Sequence, residues 1–352
     1  MIDTIDIAVN KVAESSLQQV DFNNIVFGKK YSDHMFVADY EDGQWQDFRI
    51  IPYGPLSLSP ANVTLHYGQS IFEGMKAYKN DSQEVLLFRP LDNHERLNIS
   101  ARRMCLAEVP EELFMGGLRE LLTIDSDWVP QVEDTSLYVR PLLFATDENI
   151  GIRPPSKFRF MIITCPAGAY YKRPVKVKVE THYSRAVKGG TGFAKAAGNY
   201  AGSLYPAKLA QDMGYDQLIW TDANTHEYVE EAGTMNIVFQ IGDSLVTAPT
   251  GDTILKGITR DSVLTLARDW GMNVEVRKLS VKELIAAAQS GQLKEAFGTG
   301  TAATIAPIGV IGHNGQDYNL PENRPLAQKM KKTLDEIKTG KIEDIHGWTL
   351  KI

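Results

Sequence analysis

The chain has 352 residues, of which 43% are hydrophobic and 23% are charged, so a folded protein of about two domains is expected. The formal net charge of −7 disfavours a nucleic-acid partner, which would need a basic patch, and also an anionic membrane surface. Residues 1–6 are acidic and lack a sustained apolar run, so neither a secretory nor a mitochondrial leader is expected, and no run approaches the roughly 18 apolar residues of a membrane span.

The cysteines and histidines argue against a metal centre. Cys105 and Cys165 are too few for a disulfide framework or a cysteine zinc site, and both lie among apolar neighbours. We therefore expect two buried, unreactive thiols. The seven histidines show no metal-ligand spacing, and a reducing cytoplasm fits the whole pattern.

The first half of the chain alternates strand and helix patterns. Residues 83–88 predict a strand, and Asp92 with Glu95 three residues later predicts a capping box at the start of a helix. Residues 157–164 alternate large apolar side chains and predict a buried strand that ends the first domain.

The second half predicts a further series of short elements. These are strands over 175–180 and 218–221, a hairpin over 236–248 that turns at Gly242 and Asp243, and helices over 259–270, from Ser280 to Gly291 and over 325–338. Prolines and a glycine near residues 166–174 separate two strong strands. We therefore predict an N-terminal domain over 1–168, a linker over 169–176 and a C-terminal domain over 177–352.

Four short runs in the second half carry the chemistry. They are FAKAAGNY at 193–200, EAGTMN at 231–236, GITR at 257–260 and GTGT at 298–301. Together they offer an amine, an acid and two backbone-rich loops for an anion. A pyridoxal phosphate enzyme needs this set, because a lysine holds the aldehyde as a Schiff base, a carboxylate keeps the ring nitrogen protonated, and glycine turns at helix starts bind phosphate.

The order and wording of these runs resemble the branched-chain amino acid aminotransferases, which are fold-type IV pyridoxal phosphate enzymes. The resemblance extends from about Phe27 to the C-terminus and includes YSDHM at 31–35, HY at 66–67, FEGMKA at 72–77, LFRP at 87–90 and YVRP at 138–141. It implies a mixed α/β fold with a smaller N-terminal α/β domain and a larger C-terminal domain with a β-barrel-like core. It also implies transfer of the amino group between leucine, isoleucine or valine and 2-oxoglutarate by a ping-pong mechanism.

Carried over to this sequence, the resemblance makes Lys195 the catalytic lysine. Glu231 matches the acid that faces the ring nitrogen, and Tyr200 matches the tyrosine that bonds the ring hydroxyl oxygen. The small neighbours of the lysine, Ala194, Ala196 and Ala197, are expected to leave space for the ring and to add nothing to the core.

The remaining predicted positions bind phosphate, bind substrate or face a second subunit. The cofactor positions are Arg89, Arg185, Ile258, Thr259 and Thr301, with Thr234 beside both cofactor and substrate carboxylate. The substrate positions are Phe27, Tyr67, Phe72, Tyr138, Tyr170 and Ala302, with Arg140 for the second carboxylate of glutamate. Ile150 and Ile152 match a loop that closes the site of the other subunit, which implies a homodimer.

Tyr138 and Arg140 are two residues apart on one predicted strand, so their side chains point the same way. An aromatic pocket can favour a branched chain by burying its methyl groups, at about 0.8 kcal/mol per CH₂.

Animal members of the family carry Cys-x-x-Cys after the Gly-Thr loop, whereas this chain has Ala303 and Ala306. The resemblance therefore does not imply redox control for this chain.

Other functions remain open on the sequence. Gly298, Gly300 and Ala303 fit a dinucleotide-binding fingerprint, although no complete βαβ unit with an acidic strand end follows. Residues 189–195 approach a phosphate loop but lack its final glycine and hydroxyl residue. Within the same fold, a D-amino acid aminotransferase, an aminodeoxychorismate lyase or a non-catalytic binding protein is the alternative.

Overall fold

The computed structural model describes residues 5–352, and these form two compact units. The first unit contains the residues up to Tyr170 together with Ala194–Gly198 and Glu336–Ile352. The second unit contains Tyr171–Phe193 and Asn199–Asp335. These units differ from the domains predicted from the sequence, because two short segments of the C-terminal half belong to the first unit. The predicted domain limits stay a prediction.

The fold is mixed α/β, as predicted. The strands are β1 (Ala8–Val9), β2 (His34–Glu41), β3 (Gln44–Pro52), β4 (Ser70–Phe72), β5 (Met75–Lys79), β6 (Val85–Phe88), β7 (Ser136–Ala145), β8 (Phe158–Ala167), β9 (Val175–Val179), β10 (Gln217–Thr221), β11 (Val229–Ala232), β12 (Met235–Ile241), β13 (Ser244–Thr247), β14 (Asn273–Val276), β15 (Leu293–Gly300), β16 (Thr304–His313), β17 (Gln316–Asn319) and β18 (Thr349–Lys351). The α-helices are α1 (Val63–Tyr67), α2 (Pro90–Arg103), α3 (Glu111–Ile124), α4 (Ala197–Asp212), α5 (Ile258–Asp269), α6 (Val281–Gln289) and α7 (Pro325–Lys338), with short 3₁₀ turns at Leu17–Gln19 and Ser126–Trp128. None of these described helices is long and apolar enough to cross a membrane.

The first unit is built on a twisted sheet in the order β1-β3-β2-β8-β7-β5-β6-β18, with β4 added to β7. Apart from the parallel pair β1–β3, the neighbouring strands are antiparallel. Helix α3 packs against β2, and Phe114 stacks on Phe160 of β8 at 5.9 Å between ring centroids. Each large apolar side chain buried in this way contributes about 1.5–3 kcal/mol.

The second unit closes its sheet into a barrel. Six strands form the ring β11-β10-β9-β16-β15-β12, and β12 pairs back onto β11. Strands β13 and β14 continue from β12, and β17 pairs with β16. The barrel-like core predicted for the C-terminal half is therefore confirmed.

Most elements with a strong local signal are confirmed. Strands β6, β8, β9 and β10 lie where predicted, and the β12–β13 hairpin turns at Gly242, whose φ is +58°. Helix α6 begins after Ser280, whose side chain accepts the backbone N–H of Glu283. Helix α7 has the predicted bounds, and α5 begins one residue earlier than predicted.

The capping box predicted at Asp92 and Glu95 is wrong. Helix α2 already begins at Pro90, and its N-cap residue, Arg89, has a left-handed conformation with φ +53°. Proline is well suited to the first helical position because its missing N–H has no partner there in any case. Asp92 instead accepts from the Arg89 guanidinium at 2.9 and 3.1 Å.

Candidate functional site

Lys195 lies in a short segment held against β4 in the first unit. Ala196 forms an isolated bridge with Ile71, and the Phe72 N–H donates to the Lys195 carbonyl at 3.1 Å. The Lys195 N–H donates in turn to Ser100 Oγ of α2 at 2.9 Å. The main chain of the predicted catalytic lysine is therefore fixed by two elements, which limits the positions that its amine can take.

The alanines beside this lysine contribute to the core, contrary to expectation. Ala194 and Ala196 are each 2% exposed and belong to the main hydrophobic cluster of the first unit. Their side chains are small enough to let the segment lie flat against the sheet. The prediction that they add nothing to the core is therefore wrong for both residues.

The side chains of Lys195 and Arg140 both lie near the aromatic ring of Phe72. Lys195 Nζ lies 4.9 Å from the ring centroid of Phe72, and the Arg140 guanidinium lies 4.3 Å from the same centroid. Arg140 also donates to the Tyr138 hydroxyl at 2.8 Å, which confirms that both side chains leave β7 on the same side. The structure thus brings the predicted catalytic lysine and three predicted substrate residues together.

Two further predicted substrate residues join this cluster. The Phe27 ring packs edge-on against Tyr138 at 5.1 Å and against Tyr170 at 5.9 Å between centroids. A Cβ at Gly74 would overlap the Tyr138 hydroxyl, so the tyrosine can take this position only because residue 74 is glycine. We call Phe27, Phe72, Tyr138, Arg140 and Tyr170 the aromatic cluster.

A buried ion pair lies next to this cluster in the sequence and was not predicted. Glu73 is fully buried and accepts from Arg96 Nε at 2.7 Å and Nη2 at 2.9 Å, and from Asn93 at 2.7 Å. Burial alone would raise the pKa of Glu73, but Arg96, followed by Lys195 and Asn93, lowers it below its usual value. The sequence shows Glu73 within a family string but carries no signal that pairs it with a residue of α2.

Tyr67, Ile150 and Ile152 also belong to the first unit. The Tyr67 hydroxyl, at the end of α1, donates to the Ile150 carbonyl, and the two isoleucine side chains are 66% and 88% exposed. Of the predicted site residues, all of which are described, Ile150 alone lines a polar cavity of about 940 Å³. That cavity is bounded by charged groups such as Asp39 and Arg159 and does not include the lysine.

Arg89 belongs to another cluster of the first unit. Its backbone N–H donates to the Trp348 carbonyl at 2.6 Å, and its guanidinium lies 5.6 Å from a Trp348 ring centroid. The side chain is 10% exposed and pairs with Asp92. The arginine therefore makes an ion pair while its own side chain is largely buried.

In the second unit, Glu231 is a buried acid with several partners. It is 3% exposed, and its Oε1 accepts from the Leu255 N–H at 2.6 Å and from Asn236 at 3.3 Å. Its Oε2 lies 3.4 Å from Arg185 Nε. A carboxylate buried in this way stays ionised only where cations and donors compensate it, as they do here.

Arg185 is positioned by carbonyl oxygens. Its Nη2 donates to Gly192 at 3.0 Å and to Thr253 at 2.5 Å. Its Nε is buried and makes no hydrogen bond within the described chain. The same Nε faces Glu231 Oε2 at 3.4 Å, so the guanidinium is engaged with that carboxylate.

The start of α5 lies beside Glu231. Asn236 donates to the Leu255 carbonyl at 2.9 Å, and a Cβ at Gly257, the N-cap residue, would overlap the Asn236 side chain. Ile258 and Thr259 follow as the first helical residues. A helix start favours an anion because its N–H groups and its dipole point outward there.

The turns that carry Thr234 and Thr301 lie at the same end of the barrel. Asn236 at the start of β12 pairs with both Glu231 and Thr299, so the β11–β12 turn lies beside the β15–β16 turn, which also holds Ala302. Thr299 Oγ1 is buried without a hydrogen-bond partner in residues 5–352. This end of the barrel therefore holds one buried hydroxyl, that of Thr299, that the described side chains do not use.

Tyr200 lies in the first turn of α4, where its carbonyl accepts from Ser203 Oγ at 2.7 Å. The predicted residues of the second unit therefore supply an acid, a guanidinium, a helix start and two hydroxyl-bearing turns. This donor set fits a phosphorylated aromatic ring with a basic nitrogen, which is the chemistry of pyridoxal phosphate.

The dinucleotide-binding alternative fails on topology. Gly298 and Gly300 end β15, and the chain then turns directly into the antiparallel strand β16. A dinucleotide fold requires a helix at that point and a parallel strand after it.

The class that the fold and these residues define is that of the pyridoxal phosphate aminotransferases with a barrel-containing unit. The profile of the amino-transferase class IV family matches residues 70–311. The chain belongs to this family and is an aminotransferase.

Comparison with individual proteins narrows this further. The chain is 46% identical over 338 residues to branched-chain-amino-acid aminotransferase 2 of Bacillus subtilis, covering 94% of this chain and 93% of that protein. The branched-chain aminotransferase of Thermoproteus uzoniensis, solved with norvaline, is 30% identical with a TM-score of 0.74, over 90% of this chain and 99% of that one. The branched-chain amino acid aminotransferase of Escherichia coli is 26% identical with a TM-score of 0.73, over 90% and 98% of the two chains.

Proposed function

We propose that this protein is a branched-chain L-amino acid aminotransferase that uses pyridoxal phosphate and exchanges amino groups with 2-oxoglutarate. The observation that carries the proposal is the aromatic cluster beside Lys195, in which Arg140 is the cation. Aromatic surface suits a branched aliphatic chain, and one guanidinium suits the second carboxylate of glutamate. The names of the relatives support the branched-chain substrates.

We assign the cofactor contacts from the sequence resemblance. Lys195 would hold the cofactor covalently, Glu231 would face the ring nitrogen and Tyr200 would bond the ring hydroxyl oxygen. The phosphate is bound by the positions predicted from the sequence: Arg89, Arg185, Ile258, Thr259 and Thr301. When bound, the ring withdraws electrons and stabilises negative charge at the substrate Cα.

The protein's own groups carry the remaining steps. With the cofactor bound, Lys195 Nζ would remove the proton from the substrate Cα as a base and then donate it as an acid. Glu231, whose carboxylate is compensated by Arg185 and the Leu255 N–H, would accept a hydrogen bond from the protonated ring nitrogen. Thr234 and Ala302 face the substrate α-carboxylate.

We also propose a homodimer in which Ile150 and Ile152 face the site of the partner subunit. The high exposure of both side chains supports it, since isoleucine is rarely left so open to water. The exposed apolar residues of α4, such as Leu204 and Tyr205, offer further surface for burial. The cytoplasmic location stays a prediction from the sequence.

The decisive test is chemical labelling of the lysine. Borohydride reduction of the holoenzyme followed by peptide mapping should place the cofactor on Lys195, and Lys195→Ala should abolish turnover. A label on another lysine would sink the assignment.

A donor screen then separates this function from its relatives. Leucine, isoleucine and valine should transfer their amino groups to 2-oxoglutarate, whereas D-amino acids should not. Activity with D-alanine instead, or pyruvate release from aminodeoxychorismate, would identify one of the other activities of this fold. Bound cofactor with no turnover of any donor would indicate a binding protein.

A further inference from the structure

Two adjacent glutamates of β11, Glu230 and Glu231, face the same loop. A regular strand would point them to opposite faces. Ile219 of β10 pairs with Ala232, but Thr221 pairs with Val229, so β11 holds one extra residue at this point. This β-bulge turns both carboxyl groups towards residues 253–255, and such bulges commonly re-aim side chains next to active sites.

The two carboxyl groups have unequal partners. Glu231 has Arg185, the Leu255 N–H and Asn236, as described above. Glu230 is 9% exposed; its Oε1 accepts from the Thr253 hydroxyl at 2.6 Å, and its Oε2 is buried with no hydrogen-bond partner in the described part of the chain. An ionised carboxylate would leave a charged, buried oxygen there without a donor from the described chain, which is costly.

We propose that Glu230 is a neutral carboxylic acid, protonated on Oε2, whose hydrogen bond with Thr253 positions Arg185 beside Glu231. Thr253 connects the two sides, because its hydroxyl donates to Glu230 while its carbonyl accepts from Arg185 Nη2 at 2.5 Å. Because Glu230 is neutral, the Arg185 guanidinium forms its ion pair with the Glu231 carboxylate. In this role Glu230 is a positioning residue that acts through Thr253 and Arg185.

The charged groups around Glu230 agree with this state. Burial raises the pKa of Glu230, and the negative charges of Glu231 and Asp222 raise it further, whereas the Thr253 hydroxyl and Arg185 act in the opposite direction and are outweighed. Removing the charge of Glu231 should therefore make Glu230 easier to ionise.

The first experiment measures the proton itself and does not depend on the cofactor. Infrared difference spectra of the full-length protein, recorded as a pH titration, should show a protonated carboxyl band that persists above the usual pKa of 4.5 in wild type and Glu227→Gln and is lost in Glu230→Gln. Glu227 is the matched control, because it is exposed and lies three residues earlier. In Glu231→Gln the band should titrate at lower pH. An unchanged spectrum in Glu230→Gln would overturn the proposal.

Unfolding in urea gives a second readout with a defined sign. Because the folded pKa is raised, the folded state keeps a proton that the unfolded state loses above the usual value of 4.5, so wild type loses stability as pH rises through that window. The midpoint of Glu230→Gln should match wild type at low pH and exceed it at pH 8. A lower midpoint at pH 8, or failure of this variant to fold while Glu227→Gln folds, would show that the charge is needed.

The positioning role is tested by cofactor affinity and rests on the proposed function. Glu230→Ala and Thr253→Val should each weaken pyridoxal phosphate binding roughly tenfold, the effect of losing one ordinary hydrogen bond, while Glu230→Gln restores it to within about twofold. Equal losses in the alanine and glutamine variants would refute the neutral acid. If wild type binds no pyridoxal phosphate, the proposed function fails, but the infrared result still decides the state of Glu230.

Discussion

Arg140 is the residue whose contacts best support the proposal that one pocket serves two kinds of substrate. It stacks on Phe72, bonds the Tyr138 hydroxyl, and keeps a buried Nε without a hydrogen-bond partner in residues 5–352. The guanidinium is thus held rigidly while part of its donor capacity stays unused. An arginine held in this way can bind a carboxylate without first paying the entropy of ordering a long side chain.

Arg140→Met should therefore separate the two half-reactions. The glutamate half-reaction should lose about 2–5 kcal/mol in kcat/KM, the usual cost of removing one partner of a buried charged hydrogen bond, because the methionine keeps the stem but not the charge. The leucine half-reaction, measured by single-turnover absorbance on the same preparation, is the internal control and should change far less. Equal losses with both donors would mean that Arg140 only supports the packing of the aromatic cluster.

The two cysteines differ more than their sequence context predicts. Cys165 is buried, as expected, and burial raises the pKa of its thiol. Cys105 is exposed and has a left-handed backbone with φ +56°, because α2 ends at Arg103 rather than continuing through it. The prediction of a buried thiol is therefore wrong for Cys105.

A thiol reagent should consequently modify Cys105 and leave Cys165 unmodified in the native protein, which peptide mapping after a short treatment can measure. Activity should nevertheless be almost unchanged, because the loop after Gly300 carries Ala303 and Ala306 and cannot form a disulfide. Cys105→Ser should abolish labelling without changing kcat. Loss of activity on oxidation that dithiothreitol reverses, and that Cys105→Ser prevents, would contradict this expectation.

At the scale of elements, the Glu73–Arg96 pair connects the start of β5 to α2. Glu73 lies directly after Phe72, and the Phe72 ring contacts both Lys195 and Arg140. Loss of the Glu73–Arg96 pair should therefore also disturb the aromatic cluster. Removing one member of a buried ion pair leaves an uncompensated charge, whereas replacing both with apolar groups is often tolerated.

Glu73→Met should lower the free energy of unfolding by about 3–5 kcal/mol, and the double variant Glu73→Met/Arg96→Met should lose less than the single one.

The pH dependence of the free energy of unfolding has a defined sign. Because the folded pKa of Glu73 is lowered, its contribution is present above the usual value of 4.5 and is lost as pH falls through the folded pKa. Urea titrations between pH 3 and 8 should show this acid loss in wild type and not in the double variant. A double variant that is less stable than the single one would refute it.

Elements were predictable where the signal is local. The Ser280 cap, the alternation of β9 and the turn at Gly242 depend on neighbours within a few residues, and each was placed from the sequence. Helix α4 was not predicted, because it contains Pro206 and its apolar residues do not gather on one face. The start of α2 was misplaced because its N-cap residue, Arg89, has a left-handed backbone conformation, which is uncommon for arginine and cannot be predicted from the residue type.

For the candidate site, the sequence provided the residue types but not their grouping. Lys195, Phe72 and Arg140 are separated by many residues, and only the pairing of the lysine segment with β4 brings them together. The partners of Glu73, Arg185 and Glu231 are equally long-range. Periodicity cannot detect such contacts, which is why the resemblance, rather than the pattern, was needed to select these residues.

At the scale of the whole molecule, exposed apolar surface remains on both units. In the first unit, Ile150 and Ile152 project from the loop that Tyr67 holds, and in the second, α4 exposes Leu204 and Tyr205. Burying an isoleucine contributes about 1.5–3 kcal/mol, so leaving two of them open to water forgoes a sizeable stabilisation. A homodimer would recover it, and a twofold axis would apply the same contact to both subunits.

A subunit-mixing experiment tests whether this loop acts on the partner's site. Lys195→Ala homodimers lack the amine, and Ile150→Ser/Ile152→Ser homodimers lack the apolar closure, so both should be poorly active. In a heterodimer purified through two tags, the subunit that keeps Lys195 receives an intact loop from its partner, and one working site per dimer should return. Ile345→Ser is the matched control, since Ile345 is 73% exposed in the first unit and should leave dimerisation and turnover unchanged. If mixing restores nothing, the loop closes the site of its own subunit, and the partner assignment of Ile150 and Ile152 is wrong.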